Sequence, residues 1–160
     1  FDFNYLKTEI LESKLSEKFN FLIAGSGSSA EQIKHDFRLY ENVVFLGQIP
    51  HEHTVHIAGR SVGFLLLYRD PCNFENHITN KIREYAEHKK IIIHNLESSK
   101  FNVLGRDLEI GVSIKQKNAD SILNTILNES LDKVAKNLEE LCKLASEENI
   151  NIIFKKIMNK

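Results

Sequence analysis

Two short stretches of this chain combine residue types that can hold a phosphorylated ligand. The first is Gly25-Ser26-Gly27-Ser28-Ser29, which follows the apolar run Phe19 to Ala24. Where a strand gives way to a helix, free backbone N–H groups and the helix dipole favour anions. No Gly-Lys-Ser/Thr follows, so this is not a Walker loop, and Ala30 matches the last position of GxGxxG only loosely. A tight turn with good capping residues accounts for the same string equally well. The second stretch is Thr79-Asn80-Lys81-Ile82-Arg83-Glu84. Thr79 or Asn80 can cap a helix whose first turn holds Lys81, and a cation there opposes the dipole at a cost of roughly a few tenths of a kcal/mol unless an anion offsets it. Glu84 lies three residues on, along the same helical face, where a carboxylate can accept two hydrogen bonds from a vicinal diol such as ribose. A surface Lys81–Glu84 ion pair, worth under ~1 kcal/mol, is the plain alternative. Both readings stand on spacing alone.

Other candidates carry less. His51, His53 and His56 form HxHxxH, but only His53 and His56 can share a helix face, so a metal would need His51 to fold back. No metal is expected. His77 can contact a sugar or phosphate, or stand solvated in its loop. Asp70 and Glu75 can form a carboxylate pair, though on a loop of underivable path. Cys72 has no histidine at a nucleophile-activating position. Arg69 can meet a phosphate or pair with Asp70, and the pairing is favoured. No catalytic side chain emerges.

The elements that must position these residues alternate. Leu6, Ile10, Leu11 and Leu15 share one face of a helix over Tyr5 to Lys18, and Phe19 to Ala24 reads as a strand. Ser28 or Ser29 caps a helix carrying Ile33, Phe37 and Tyr40 on one face. Val43 to Leu46 is a strand stopped by Gly47, and His51 to Ala58 a short helix. Val62 to Leu67 is the strongest strand, Asn80 to His88 a helix, Ile91 to Ile93 a strand, and Ile110 to Ile114 the last. Helices fill the chain from Asp120 onward, with a break at Glu147 to Asn149. Continuous apolar strand cores are what a parallel sheet covered on both faces requires. The expected fold class is therefore α/β: one Rossmann-like domain over 1–160, doubly wound and mostly parallel, with helices on both faces and a helical C-terminal tail. Ligands of such sheets bind at the carboxyl ends of the strands, which selects Gly25 to Ser29, Gly47 to His51 and Tyr68 to Asn80.

The whole-chain numbers exclude some classes. A chain of 160 residues with 42% hydrophobic and 27% charged residues suits one globular domain. A formal charge of -1 argues against general binding to nucleic acid or anionic membrane. Two cysteines without CxxC spacing favour reduced thiols and a cytoplasmic location, at most peripheral at the inner membrane face. No apolar run approaches the ~20 residues of a membrane span. No signal peptide is visible, although the chain begins at Phe1.

Taken in order, Phe21-Leu22-Ile23-Ala24-Gly25-Ser26-Gly27, Asn42-Val43-Val44-Phe45-Leu46-Gly47-Gln48-Ile49-Pro50, and Asn80-Lys81-Ile82-Arg83-Glu84-Tyr85-Ala86 with Ile91-Ile92-Ile93 resemble the C-terminal half of a group-1 family GT-B glycosyltransferase. Phe1-Asp2-Phe3-Asn4-Tyr5 resembles the end of that half's first strand and the loop after it. The resemblance spans about residues 1 to 95. It implies that Glu84 corresponds to the second glutamate of an E-x7-E pattern and holds the nucleotide ribose. It further implies that Lys81, Asn80 and Thr79 meet the diphosphate and donor sugar; Gly25, Ser26 and His77 join this nucleotide-sugar-binding set from their residue types. Gln48, Ile49 and Pro50 would rest main chain against the base. Two departures stand out: Asn76 occupies the place of the first glutamate, and the basic pair expected near Phe3 to Lys7 is missing.

The expected function is that of a donor domain binding a nucleotide diphosphate sugar, UDP- or GDP-linked, for transfer to a polysaccharide or lipid-linked glycan. GT-B enzymes generally work without a bound catalytic metal, so no cofactor is expected. The acceptor side would belong to an N-terminal domain that these 160 residues do not contain, leaving this part by itself inactive. Two rivals are a sugar-nucleotide epimerase-like half domain and a non-enzymatic flavodoxin-like or receiver-type interaction module. The second lacks the acidic residues such a module needs, because its strand ends carry Gly25, Gly47 and Tyr68.

Overall fold

The computed structural model describes residues 1–69, 80–97, 100–103, 106–109, 111–115, 117–128, 136–140 and 142–143. The first helical segment is not the single helix that the apolar spacing suggests. A short α1 (Phe3–Tyr5), capped by Asp2 accepting from the Tyr5 N–H at 3.0 Å, widens into a π-helical stretch over Leu6–Leu11. Ser13 then turns extended and caps a separate 3-10 helix, Lys14–Lys18, accepting from the Leu15 N–H. Leu6, Ile10 and Leu11 are buried as expected, but Ser16 takes the inner position beyond them and donates to the Leu11 carbonyl at 2.9 Å. The break is local side-chain capping competing with helix continuation.

Next come β1 (Phe21–Ala24), α2 (Ala30–Asp36), β2 (Val43–Gly47), α3 (His51–Arg60) and β3 (Gly63–Leu66). Then follow α4 (Asn80–Glu87), β4 (Ile91–His94), β5 (Lys100–Val103), β6 (Arg106–Glu109), β7 (Gly111–Ser113) and α5 (Ala119–Asn128). Residues 136–140 and 142–143 are helical, and the expected break at Glu147 to Asn149 lies outside the described residues. Phe37 is buried, with Ile33 and Tyr40 packed beside it, although α2 itself ends at Asp36.

The strands form parallel pairs as expected, but not one sheet. Among the described residues β1 pairs with β2, while β3, β4 and β7 form a second parallel sheet in that order. An unexpected antiparallel hairpin joins β5 to β6. The fold is thus mixed α/β with short parallel sheets and helices.

Coverage of the two faces differs along the molecule. All four residues of β4 are buried, as a strand sandwiched between helices must be. Leu66, Ile92 and Leu96 pack with Ile82 and Ala86 of α4 and with Leu138 on one side. On the other, Leu6, Ile10 and Leu11 pack with Phe21, Leu67, Ile93, Ile114 and Ile122, so both sheets contribute to a single cluster. Burying a side chain of this size contributes about 1.5–3 kcal/mol, less ordering entropy. The β1–β2 pair departs from the expectation of two covered faces. Leu22 and its register partner Val44 remain 47% and 38% exposed. No helix among the described residues is long and apolar enough to cross a membrane.

Candidate functional site

Parallel pairing fixes which strand ends gather. The carboxyl ends of β1 and β2 lie side by side, and the Gly25 N–H donates to the Gly47 carbonyl at 2.8 Å. The register shifts between Ile23 and Ala24, a bulge that brings Ala24 opposite Gly47. Both glycines adopt positive φ, +136° at Gly25 and +66° at Gly47. Side chains are strained there, so glycine permits the two chains to turn together. One residue beyond, the Ser26 hydroxyl donates to the Gln48 Oε1 at 3.2 Å. Two of the three segments selected from sequence thus meet, and both side chains are exposed. Ile49 is half-buried behind them, and Pro50 leads into α3. Ser29 stands at the start of α2 without making a side-chain cap, contrary to expectation.

The third segment arrives through α4. Because β3 and β4 are parallel, the helix between them must return, which sets its N-terminus at the carboxyl side. Ile82, in its first turn, packs with Leu66 and Leu96, at the end of β3 and just past β4. Lys81 Nζ pairs with Glu84 Oε2 at 3.0 Å, with side chains 62% and 53% exposed. The hydrogen bond it donates to Glu84 raises the Lys81 ammonium above its ordinary range, so it stays charged at neutral pH. Behind them Tyr85 stacks on Phe64, with centroids 4.3 Å apart and planes 6° from parallel. Burial raises the Tyr85 phenol. Asn80 begins the helix. Thr79, His77, Asn76, Glu75, Cys72 and Asp70 lie outside the described residues.

Three polar residues at the ends of β4 and β7 were not singled out from sequence. Asn95 is 1% exposed and grips Tyr68, its Oδ1 accepting the Tyr68 N–H at 2.9 Å and its Nδ2 donating to the carbonyl at 2.7 Å. Ser113, fully buried, donates to the Leu96 carbonyl. His94 is also fully buried, accepts the Leu96 N–H at Nδ1, and is pushed by burial down to about 4. It is therefore neutral at physiological pH. A polar residue closing an apolar run is the only signal the sequence offers for them.

A cleft of about 430 Å³ opens past β7, between Glu9, Glu12 and Ser13 on one wall and Lys115, Lys117 and Asp120 on the other. The Ser13 hydroxyl donates to Asp120 and Lys115 pairs with Glu97, so the cleft presents mixed charge rather than a phosphate cradle. His51, His53 and His56 are exposed along α3. Among the described residues no three histidine, cysteine or carboxylate side chains gather as a metal would need. Comparison with family models, curated proteins and solved structures returns no match for this chain.

Proposed function

We propose that the carboxyl edge of this α/β fold binds the nucleotide end of an activated sugar, as the donor half of a glycosyltransferase. The contact between Ser26 and Gln48 carries the reading. It draws the two glycine turns into one exposed polar rim, and α4 presents Lys81 and Glu84 on the same side of its sheet. In this account main chain at Gln48 and Ile49 flanks the base and Glu84 accepts the ribose hydroxyls. The first turn of α4, with Asn80 and Lys81, meets the diphosphate, and Thr79 and His77, outside the described residues, are the further contacts expected at the phosphates and sugar. A leaving diphosphate needs its charge neutralised, and a helix N-terminus with a lysine can supply that without a metal.

The Lys81–Glu84 ion pair does not oppose this role. A pair this exposed is worth about 0–1 kcal/mol, so a ligand can draw the two groups apart at little cost. The acceptor and the remaining catalytic surface would come from a second domain.

Ligand-observed NMR with uridine, guanosine and adenosine as nucleoside, monophosphate and diphosphate tests the reading. Affinity should rise with each phosphate for at least one base. A series that ignores phosphate number would remove the diphosphate site.

A further inference from the structure

The polar rim where the two glycine turns meet holds a side-chain amide in one orientation. The Gly25 N–H bond to the Gly47 carbonyl fixes the two backbones one residue ahead of Ser26 and Gln48. Positive φ at both glycines turns the chains at the same level, so the two side chains meet beyond the last strand residues. There the Ser26 hydroxyl donates to the Gln48 Oε1 at 3.2 Å. Oε1 and Nε2 are the two ends of one planar amide. With Oε1 turned to Ser26, the end turned away is Nε2, which carries two N–H donors and no acceptor. Gln48 is exposed and its neighbour Ile49 is half-buried, so a polar donor stands beside an apolar flank.

Given the donor site proposed above, we propose that the Gln48 side chain, held by Ser26, selects a nucleobase with a carbonyl on its pairing edge over one with an amino group there. Uracil and guanine present an oxygen acceptor, O4 or O6, where cytosine and adenine present an amino donor, N4 or N6. A glutamine amide that is free to turn reads either kind. It meets adenine, for example, by accepting from N6 while donating to N7. Ser26 removes the first half of that pairing by drawing Oε1 to itself. A carbonyl oxygen then gains a hydrogen bond from Nε2, whereas an amino group meets a donor and loses its water without a replacement. One net hydrogen bond, together with the penalty for an unmatched donor, corresponds to about five- to tenfold in affinity. The main chain at Gln48 and Ile49 would still flank the ring, so the side chain adds selection to a contact that by itself accepts any base.

Ligand-observed NMR on the 160-residue chain compares UDP with CDP and inosine diphosphate with ADP, two pairs that differ only at this edge. In the ring class that binds, the carbonyl member should bind about five- to tenfold more tightly. Gln48→Glu offers acceptors alone, so it should erase that ratio or reverse it. Ser26→Ala frees the amide to turn and should bring the ratio below about twofold, while Ser26→Thr keeps the hydroxyl and should retain it. Both side chains are exposed, so all three variants should melt with the parent, and a contact that only braces the turns would leave the ratio unmoved. Equal binding of both members of a pair, a preference for the amino member, or a ratio that survives Gln48→Glu overturns the inference. In each of those cases, affinity that still rises from monophosphate to diphosphate leaves the donor site standing. No binding of any of the four nucleotides at several millimolar removes the donor site and the base selection together.

Discussion

Asn95 replaces a strand partner for Tyr68: its amide takes the Tyr68 N–H at 2.9 Å and returns a bond to the Tyr68 carbonyl at 2.7 Å. The two residues follow β3 and β4, where the register pairs Leu66 with His94. A buried side-chain amide thus extends the parallel ladder past the last paired residues, at the carboxyl edge of the sheet. Asn95→Ala should lower stability by about 2–3 kcal/mol, because both Tyr68 groups lose their partner at once. Urea denaturation checks this, with a lowered midpoint and an unchanged slope expected. A shift worth under ~0.5 kcal/mol would mean that water substitutes freely for the amide.

His94 gives the fold a pH dependence. In the unfolded chain it titrates near 6.5, and burial lowers it to about 4 in the fold. Below pH 6.5 the unfolded state binds the proton and the folded state does not, so stability falls as pH falls from 6.5 to 4. The total loss is about 3 kcal/mol, of which about 2 should be gone by pH 5. His94→Gln should flatten that portion of the profile, measured as the difference between the two proteins from pH 8 to pH 4. Parallel profiles would show that His94 becomes protonated within the fold without penalty.

Gly111 separates β7 from β4. A Cβ built there would lie 2.2 Å from the Ile92 carbonyl oxygen, a backbone atom that cannot rotate away. Gly111→Ala should therefore cost about 3 kcal/mol or more, by forcing the strands apart. Gly27→Ala, with nothing within 4 Å of its Cβ, should stay within about 0.5 kcal/mol of the parent. Paired melting curves of the two variants check both statements.

Lys81 should act on phosphate rather than on fold. Its ion pair with Glu84 is exposed, so Lys81→Ala should change stability by under ~1 kcal/mol. If it meets the diphosphate, the substitution should weaken binding of a nucleoside diphosphate more than that of the monophosphate. Equal losses for both would detach Lys81 from the diphosphate.

The sequence made the apolar strands legible because their runs stop at glycine or at a polar residue. Ile91 to Ile93 and Val43 to Leu46 became β4 and β2 within a residue at each end. The β5–β6 hairpin went unread, since Lys100–Val103 and Arg106–Glu109 hold too few apolar residues to set a period. The break at Ser13 was hidden for the opposite reason: the apolar spacing continues through it, and only the hydroxyl bonds of Ser13 and Ser16 end the helix. At the candidate site, the rule that ligands gather at carboxyl ends located the Ser26–Gln48 contact. It could not find Asn95 or His94, because a polar residue after an apolar run looks the same whether it is buried or solvated. The stretch from Asp70 to Thr79 carries neither period and lies outside the described residues, so His77 and Thr79 rest on residue type and resemblance alone.

The most direct test of the proposed function is calorimetric titration of UDP, GDP and ADP into the parent chain and into Glu84→Gln. Half of a cleft makes about half its contacts, so the parent should bind one of the three saturably, in the high micromolar to millimolar range. Glu84→Gln should weaken that binding by about 1.5–3 kcal/mol, the range for hydrogen bonds to a charged group. The matching deoxyribose nucleotide should lose much less against the variant than against the parent, since its partner is already gone. No saturable binding of any of the three at several millimolar, or identical affinities for parent and variant, would contradict a ribose held by Glu84 and with it the donor-domain reading.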